Sequence, residues 1–395
     1  MRLAIINHSG NRIGGTEVYI ESVVPELAAR GLTIKCVFEN RYPGASALNF
    51  SSSTEIGVAS GLPSDLSHLV SWKPDILFIH GLLNTYWEER LVRGFRVVYF
   101  AHNYYGTCIS GRKAVGLLHP TPCTRRFGPE CLLHYYPLRC GGLSPFTMWR
   151  DFAAQSRRLA NLRRCGAVIT ASSHMRREYL RNGLREANVH CVPLPVRPEA
   201  LCENQRAPKG PHRLLFVGRM VATKGGETLI DALPLAAQRL DSPLRLTFVG
   251  DGPERSRWEV KARAVELNHS GIAIEFLPWV TPQELSAIYA QSHVVVIPSL
   301  WPEPFGLVGL ECAARGIPAA AFAVGGIPEW LLDGVNGHLA IGRSHAPSDL
   351  ASAIASVLSD PNHYHSLSDN ARRIAANFSL TRHVTSLLQV FDTIV

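Results

Sequence analysis

Several features that define other protein classes are missing from this sequence of 395 residues. No apolar run reaches the roughly 18 residues that a membrane-spanning helix needs. The chain opens directly on the predicted strand Leu3–Ile6, without the positive, apolar and small-residue regions of a secretion signal. The nine cysteines are an odd number, which argues against a disulfide framework. A cytoplasmic location is therefore predicted.

Three ligand-binding patterns are also missing. The first glycine loop, residues 7–17, is not G-x-G-x-x-G, so a dinucleotide site is disfavoured. No D-x-D motif that would indicate a divalent metal stands out, so no such metal site is predicted. The arginines lack interleaved aromatic residues and a binding motif, so no nucleic-acid partner is expected.

The composition that remains is that of a large globular protein. Hydrophobic residues make up 46% and charged residues 18% of the chain, and its length suits two domains of about 190 residues each. The net charge of +8 indicates an anionic partner.

The most informative stretch surrounds Glu303 and Glu311. The apolar run Val294–Ile297 predicts a buried strand, and a helix is predicted to start near Gly306. Prolines on both sides of Glu303 keep its backbone out of the helical region, which leaves this residue in the loop. Two carboxylates and a helix N-terminus would then meet above a strand end, where a phosphate is favoured. Two solvated glutamates are the alternative.

Two neighbouring loops strengthen the phosphate interpretation. After the predicted strand Ala319–Phe322, Gly325 and Gly326 would let the backbone approach a ligand closely. After the strand that ends at Gly218, Arg219 and Lys224 could neutralise a diphosphate.

Together these motifs resemble a known family. Glu303 through Glu311, with the following Gly-Gly-Ile-Pro-Glu, is similar to the E-x7-E signature of the family 4 (group 1) retaining glycosyltransferases, and Arg219 to Gly225 is similar to their G-R-x4-K-G motif. The resemblance implies the GT-B fold, which is α/β with two Rossmann-like doubly wound domains facing each other across a cleft.

The resemblance also implies an activity. The expected enzyme moves a sugar from a nucleoside-diphosphate sugar to an acceptor hydroxyl, in polysaccharide or glycolipid assembly, with no cofactor beyond the donor substrate. The expected partners are that donor and a glycan or lipid-linked acceptor. A phosphorylase-like enzyme and a non-catalytic sugar- or lipid-binding protein are the alternatives.

Individual roles follow from the same resemblance. Glu303 would engage sugar hydroxyls, and His102, which follows the predicted strand Arg96–Ala101, would orient the sugar; His80 is a second candidate. Glu311 would bind the ribose. The diphosphate would be held by Arg219, Lys224, Gly14, Gly15, Gly306, Leu307, Gly325 and Gly326.

The predicted organisation has four parts. They are an acceptor-binding domain at 1–192, a linker at 193–212, a nucleotide-sugar domain at 213–377 and a helix at 378–395 that crosses back to the first domain. A further insertion at 108–140 is rich in cysteine. Its members could hold zinc or an iron–sulfur cluster, form disulfides or stay reduced; they are Cys108, Cys123, Cys131 and Cys140.

The basic charge concentrates between Arg112 and Arg185, where about fourteen basic residues face three acidic ones. An anionic membrane surface would attract this region, which suggests peripheral association at the inner face of the membrane. A solvated, arginine-rich helical face is the alternative.

Overall fold

The computed structural model describes residues 1–40, 47–48, 50, 56–60, 67–117, 120–196, 211–342 and 345–395. These residues form two compact units. The first unit comprises Met1–Lys113, Thr124–Pro195 and Leu380–Val395, and the second comprises Ala114–Cys123 and Val196–Ser379. Most of the predicted linker, at 197–210, lies outside the described residues.

The first unit is built on a parallel sheet with the strand order β3-β2-β1-β4-β5-β8-β9. Strands β4 and β5 are almost fully buried, as expected for parallel strands that are covered on both faces. A short antiparallel hairpin, β6–β7, is grouped with the second unit. The strands are β1 (Arg2–Ser9), β2 (Thr33–Asn40), β3 (Ile56–Ser60), β4 (Ile76–Gly81), β5 (Val97–Ala101), β6 (Ala114–Val115), β7 (Thr121–Pro122), β8 (Ala167–Thr170) and β9 (Val189–Cys191).

Helices connect these strands, and polar side chains cap several of them. Asn84 accepts a hydrogen bond from the Tyr86 N–H at 2.9 Å, and Ser172 caps its helix as its sequence position suggests. The helices of this part are α1 (Gly15–Ala29), α2 (Ser67–Trp72), α3 (Thr85–Gly94), α4 (Glu130–His134), α5 (Pro145–Leu162) and α6 (Ser173–Arg181).

The second unit contains a parallel sheet with the strand order β12-β11-β10-β13-β14-β15. Its strands are β10 (His212–Val217), β11 (Leu244–Val249), β12 (Ile272–Leu277), β13 (Val294–Ile297), β14 (Ala319–Phe322) and β15 (Gly337–Ala340). Its helices are α7 (Gly226–Leu240), α8 (Arg255–Asn268), α9 (Pro282–Gln291), α10 (Leu307–Ala314), α11 (Pro347–Leu358) and α12 (Pro361–Ala375). The last helix, α13 (Leu380–Asp392), belongs to the first unit.

Each sheet has a point where the direction of winding reverses. In the first, the chain runs outward from β1 to β3 and returns to place β4 on the other side of β1. In the second, β10 to β12 run one way and β13 to β15 the other. Loops diverge at such a point and leave a crevice at the carboxyl ends of the strands, where ligands bind in open α/β sheets.

Several predicted boundaries agree with the structure. Strands β13 and β14 have the predicted ends, and α10 begins at Leu307 with Gly306 as its N-cap. After β15, helices α11 and α13 bury apolar faces that include Leu350, Ile354 and Leu387. Among the described helices, none combines the length and the apolar composition of a membrane-spanning segment.

Candidate functional site

Glu303 is the centre of the candidate site in the second unit. It lies in the loop after β13, and its side chain is only 6% exposed. Three donors converge on its Oε1 atom: Ser299 Oγ at 2.5 Å, Lys224 Nζ at 2.6 Å and Trp301 Nε1 at 3.0 Å. Three donors from separate side chains on one oxygen fix the orientation of the carboxylate.

Backbone packing brings Lys224 to Glu303 across 79 sequence positions. The loops after β10 and β13 are joined by a hydrogen bond from the Leu300 N–H to the Thr223 carbonyl, at 2.8 Å. Gly225, the next residue after Lys224, has φ +69°, and a Cβ there would lie 1.8 Å from the Pro298 carbonyl oxygen. Glycine is therefore required for the approach of the two loops.

The glycine pair after β14 supports the Glu303 backbone. Gly325 has φ +60°, and a Cβ there would lie 2.1 Å from the Glu303 carbonyl oxygen. The Gly326 N–H donates to that same oxygen at 2.8 Å. This corrects one expectation: the Gly326 N–H is engaged by Glu303 and is not presented to a phosphate in this structure. The pair shapes the Glu303 loop.

The N-terminus of α10 lies directly after this loop. Gly306 is the N-cap with φ +81°, and no side chain caps the helix. Trp330 fixes the entry to the helix, because its indole N–H donates to the Phe305 carbonyl at 2.7 Å. The first helical N–H groups, beginning at Leu307, form a positive helix end that suits a phosphate.

Glu311 lies in α10 and is 7% exposed. The Tyr289 hydroxyl, from α9, donates to its Oε2 at 3.3 Å, and Arg315 lies over the Tyr289 ring at 4.6 Å. Burial raises the pKa of Tyr289 well above its usual value, so the phenol remains a neutral donor. Arg219, by contrast, is exposed in the loop that follows β10.

The first unit contains a second cluster, made of rings. His80 is the penultimate residue of β4 and His102 follows β5, and His80 Nδ1 lies 2.9 Å from His102 Nε2. The ring centroid of Tyr19, from α1, lies 5.2 Å from that of His102. His383, from α13, donates through Nδ1 to the Pro193 carbonyl at 2.6 Å, so its Nε2 accepts the Tyr19 hydroxyl at 2.7 Å.

These imidazoles are neutral at physiological pH. Burial, with a smaller contribution from His383, lowers the pKa of His102 to about 3, and burial lowers the pKa of His383 to about 4. Burial also lowers the pKa of His80 well below its usual value, with further contributions from His102 and His383. One ring of the His80–His102 pair therefore donates to the other as a neutral imidazole.

Gly14 and Gly15 lie at the same strand-end edge of the first unit. Gly14 is the N-cap of α1, without a side-chain capping bond, and both glycines are exposed. Behind them the buried Glu17 accepts a hydrogen bond from Asn7 Nδ2 at 2.9 Å. The carboxyl ends of β1, β4 and β5, with the residues that follow them, thus carry Gly14, Gly15, His80 and His102.

Sequence reasoning missed several residues that support these groups. Ser299 and Trp301 stand within four residues of Glu303, and their donor groups were the available signal. Tyr289, Tyr19 and His383 lie on other elements, and their contacts depend on tertiary packing.

The cysteine-rich segment holds neither a disulfide nor a metal-holding cluster within its described residues. None of the eight described cysteines is paired in a disulfide, and no three metal-ligating side chains gather in the described ranges. Cys108 and Cys140 are buried, whereas Cys123 and Cys131 are half-buried.

Part of the predicted basic surface is in fact interior. Lys113 is 1% exposed and forms an ion pair with Glu178 at 2.8 Å, and Arg158 is 4% exposed and pairs with Glu88 at 2.9 Å. These two cations are paired inside the fold and do not face a partner, which corrects their assignment to the basic patch.

Two family models match the chain side by side. The model described as "Glycosyltransferase Family 4" matches residues 13–200, and the model described as "Glycosyl transferases group 1" matches residues 199–374. Between them they extend over both halves of the sequence.

Curated relatives match over part of the chain. A D-inositol 3-phosphate glycosyltransferase of Salinispora arenicola is 35% identical over 206 residues, which are 50% of this chain and 45% of the relative. An uncharacterized glycosyltransferase of Methanocaldococcus jannaschii is 34% identical over 160 residues, or 40% of this chain and 39% of the relative. The chain thus spans less than half the length of these relatives.

Solved structures match over the whole chain. Sucrose-phosphate synthase from Thermosynechococcus elongatus has a TM-score of 0.73 at 20% identity and covers 99% of this chain and 98% of its own. Anabaena HepE, in complex with UDP and glucose, has a TM-score of 0.69 at 16% identity and covers 100% of both chains. These likenesses confirm the predicted fold class, two doubly wound α/β domains of the GT-B type.

Proposed function

Because the chain belongs to the group 1 glycosyltransferases of family 4, we propose that it transfers a sugar from a nucleoside-diphosphate sugar to an acceptor hydroxyl, with retention of configuration at the anomeric carbon. The observation that carries the proposal is the convergence of Lys224, Ser299 and Trp301 on one oxygen of Glu303, at the point where the second sheet reverses. A cation, an oriented carboxylate and a bare helix N-terminus suit a sugar attached to a diphosphate.

The diphosphate is assigned to Lys224, Arg219 and the start of α10. An ammonium group has three N–H donors, so Lys224 can keep its bond to Glu303 and still bind a phosphate oxygen. Arg219 is exposed and adds a second cation from the same loop. The N-terminus of α10 has no side-chain cap and offers backbone donors. Negative charge that develops on the leaving diphosphate would be stabilised by all three.

Glu311 and Glu303 divide the recognition of the donor. Glu311, oriented by Tyr289, would accept hydrogen bonds from the ribose hydroxyls. Glu303 holds its donors on Oε1, which assigns its Oε2 to the hydroxyls of the sugar. Glu303 in the loop and Glu311 in the helix would thus bind the sugar and the ribose of the donor, respectively.

Retention is proposed through departure and attack on one face of the sugar. A double displacement needs a nucleophilic carboxylate beneath the anomeric carbon. Glu303 is a poor candidate, because three donors, one of them cationic, withdraw electron density from its carboxylate. In the same-face route the anomeric C–O bond to the diphosphate breaks and a bond to the acceptor oxygen forms. The acceptor proton passes to the departing phosphate oxygen. Neutral His102 would orient the sugar.

The donor nucleotide, acceptor and location complete the proposal. HepE, which was solved with UDP-glucose, supports testing uridine donors first. The second unit is assigned to the donor and the first to a glycan or lipid-linked acceptor, in polysaccharide or glycolipid assembly. Peripheral association with the inner face of the membrane is included, and no cofactor beyond the donor substrate is invoked.

A donor screen tests this function. The protein is incubated with UDP-, GDP- and ADP-sugars, and thermal stabilisation and nucleotide release are followed for wild type, Glu311→Ala and the control Glu259→Ala. Glu259 is a half-buried acid on α8, paired with Arg255 at 2.8 Å. We expect one nucleotide to stabilise wild type and the control but not Glu311→Ala. Absence of any response in wild type would refute the transferase proposal, and an inverted anomeric signal in the product would refute retention.

A further inference from the structure

Four large apolar side chains project into solvent from one short part of the first unit. Leu133 is 76% exposed, Leu143 74%, Phe146 76% and Trp149 58%. We name these four residues the apolar tips. Single exposed apolar residues are ordinary on protein surfaces, but such a concentration in one segment marks an interaction surface.

Ordered elements present the apolar tips. Phe146 and Trp149 stand three residues apart near the start of α5 and therefore share a helix face. Helix α4, which carries Leu133, packs against α5. The loop between α4 and α5 is held by a hydrogen bond from Arg112 to the Cys140 carbonyl at 2.9 Å. It also packs closely, because a Cβ on Gly141 would lie 2.3 Å from the Tyr135 hydroxyl oxygen.

The exposed charges of residues 125–177, the segment of the first unit that carries the apolar tips, are mainly positive. Arg139 lies between α4 and α5, and Arg150 lies one turn after Phe146; both are exposed. Further exposed arginines follow in the same unit, namely Arg157, Arg163, Arg164 and Arg177. The acidic residues nearby are Glu130 and Asp151, and Asp151 is bound to Arg150 at 3.0 Å.

We propose that the apolar tips insert into the boundary between headgroups and acyl chains of an anionic bilayer, while exposed arginines of the same segment bind the headgroups. Apolar side chains with a tryptophan, flanked by cations, are what such an interface accepts. Anionic lipid supplies a diffuse negative surface that matches dispersed arginines. This inference rests on the peripheral association included in the proposed function and names the residues that would mediate it.

Vesicle co-sedimentation of the full chain tests the proposal. The probes are vesicles of phosphatidylcholine alone and of phosphatidylcholine mixed with phosphatidylglycerol, at low and high salt. The variants are Leu143→Ser with Phe146→Ser, Arg139→Gln with Arg150→Gln, and the control Leu267→Ser. Leu267 is 87% exposed on α8 of the second unit, so its substitution removes an equally exposed apolar group.

Wild type and the control should bind the anionic vesicles, and salt should weaken this binding. The apolar double variant should lose about tenfold for each side chain, because each removes a buried hydrocarbon group from the bound state. The arginine double variant should lose about fivefold for each cation on anionic vesicles.

The proposal would be overturned if the wild-type protein did not bind anionic vesicles. It would also be overturned if the variant Leu143→Ser with Phe146→Ser bound them as tightly as wild type. A change from dimer to monomer in the apolar variant, without vesicle binding by wild type, would assign the surface to a second copy of the chain and would also overturn it. Hydrolysis of the donor sugar is measured in parallel. Vesicle binding and the proposed transfer can therefore fail independently.

Discussion

The ion pair between Lys224 and Glu303 predicts that substitutions of its two members change the affinity for a nucleoside diphosphate differently. If Lys224 binds the donor diphosphate, Glu303 lowers the positive charge that the diphosphate meets. Glu303→Gln should then leave nucleoside-diphosphate binding unchanged or strengthen it while sugar transfer is lost. Lys224→Ala should weaken binding, because the cation itself disappears.

The magnitudes follow from the contacts. Lys224 Nζ lies 2.6 Å from Glu303 Oε1, and the two side chains are 29% and 6% exposed. A hydrogen bond to a charged group contributes about 1.5–3 kcal/mol. Lys224→Ala should therefore weaken nucleoside-diphosphate binding by about 10- to 150-fold. It should also reduce the free energy of unfolding by about 1–3 kcal/mol, since the buried carboxylate loses a partner.

Calorimetric titration with the nucleoside diphosphate identified by the donor screen measures the affinity, and urea unfolding without ligand measures the stability. Lys261→Ala is the matched control. Lys261 is also 29% exposed, belongs to the same unit and pairs with Asp231 at 2.6 Å. Its substitution should change stability modestly and leave nucleotide affinity unchanged.

Two results would contradict the reasoning. Equal weakening of binding by Glu303→Gln and Lys224→Ala would show that the carboxylate does not oppose the diphosphate. Wild-type affinity in Lys224→Ala, with only a loss of stability, would show that Lys224 serves the fold and not the donor.

Three further predictions concern stability. Gly325→Ala should lower the free energy of unfolding by more than about 1 kcal/mol, because φ at Gly325 is +60° and the new Cβ would clash with the Glu303 backbone. Urea unfolding measures the loss. The control is Gly271→Ala, because the nearest atom to a Cβ at Gly271 is 3.8 Å away. Glu88→Ala should remove about 3–5 kcal/mol by leaving the buried Arg158 without its counter-ion, whereas Glu89→Ala at an exposed pair should remove less than about 1 kcal/mol in the same assay. Similar losses in the two variants would refute the assignment. The pKa of His102 is lowered to about 3 and that of His383 to about 4 in the folded protein. Between these values and about pH 6.5, the unfolded chain therefore binds more protons than the folded chain. Their stabilisation should be complete above about pH 6.5 and decline as pH falls toward 4, by about 1.4 kcal/mol per pH unit for each proton, in thermal scans against pH. A profile unchanged by His383→Gln would contradict this account of the ring cluster.

The sequence alone was sufficient for the local features of the site. The apolar runs Val294–Ile297 and Ala319–Phe322 have no polar side chains to place in solvent, so both had to be buried strands, and they are. Pro302 and Pro304 excluded a helix around Glu303, and the helix begins where that restriction ends, at Leu307. These conclusions depend on neighbours within a few residues, which a sequence displays directly.

Contacts between distant residues could not be read in the same way. The composition of residues 112–185 shows fourteen cations, but it does not show that Lys113 and Arg158 are withdrawn into buried ion pairs. The two glycines after β14 suggested a phosphate loop, whereas packing directs the Gly326 N–H to the Glu303 carbonyl.

Short-range backbone preferences and residue type were sufficient to predict the buried strands β13 and β14, the start of α10 and the family motifs. Which atoms meet depends on tertiary packing. The parallel sheet places the ends of β10 and β13 side by side, and this alone joins Lys224 to Glu303 across 79 positions. The packing of α13 beside α1 likewise joins His383 to Tyr19 across 364 positions. Such pairings depend on strand order and helix packing, which are properties of the whole chain.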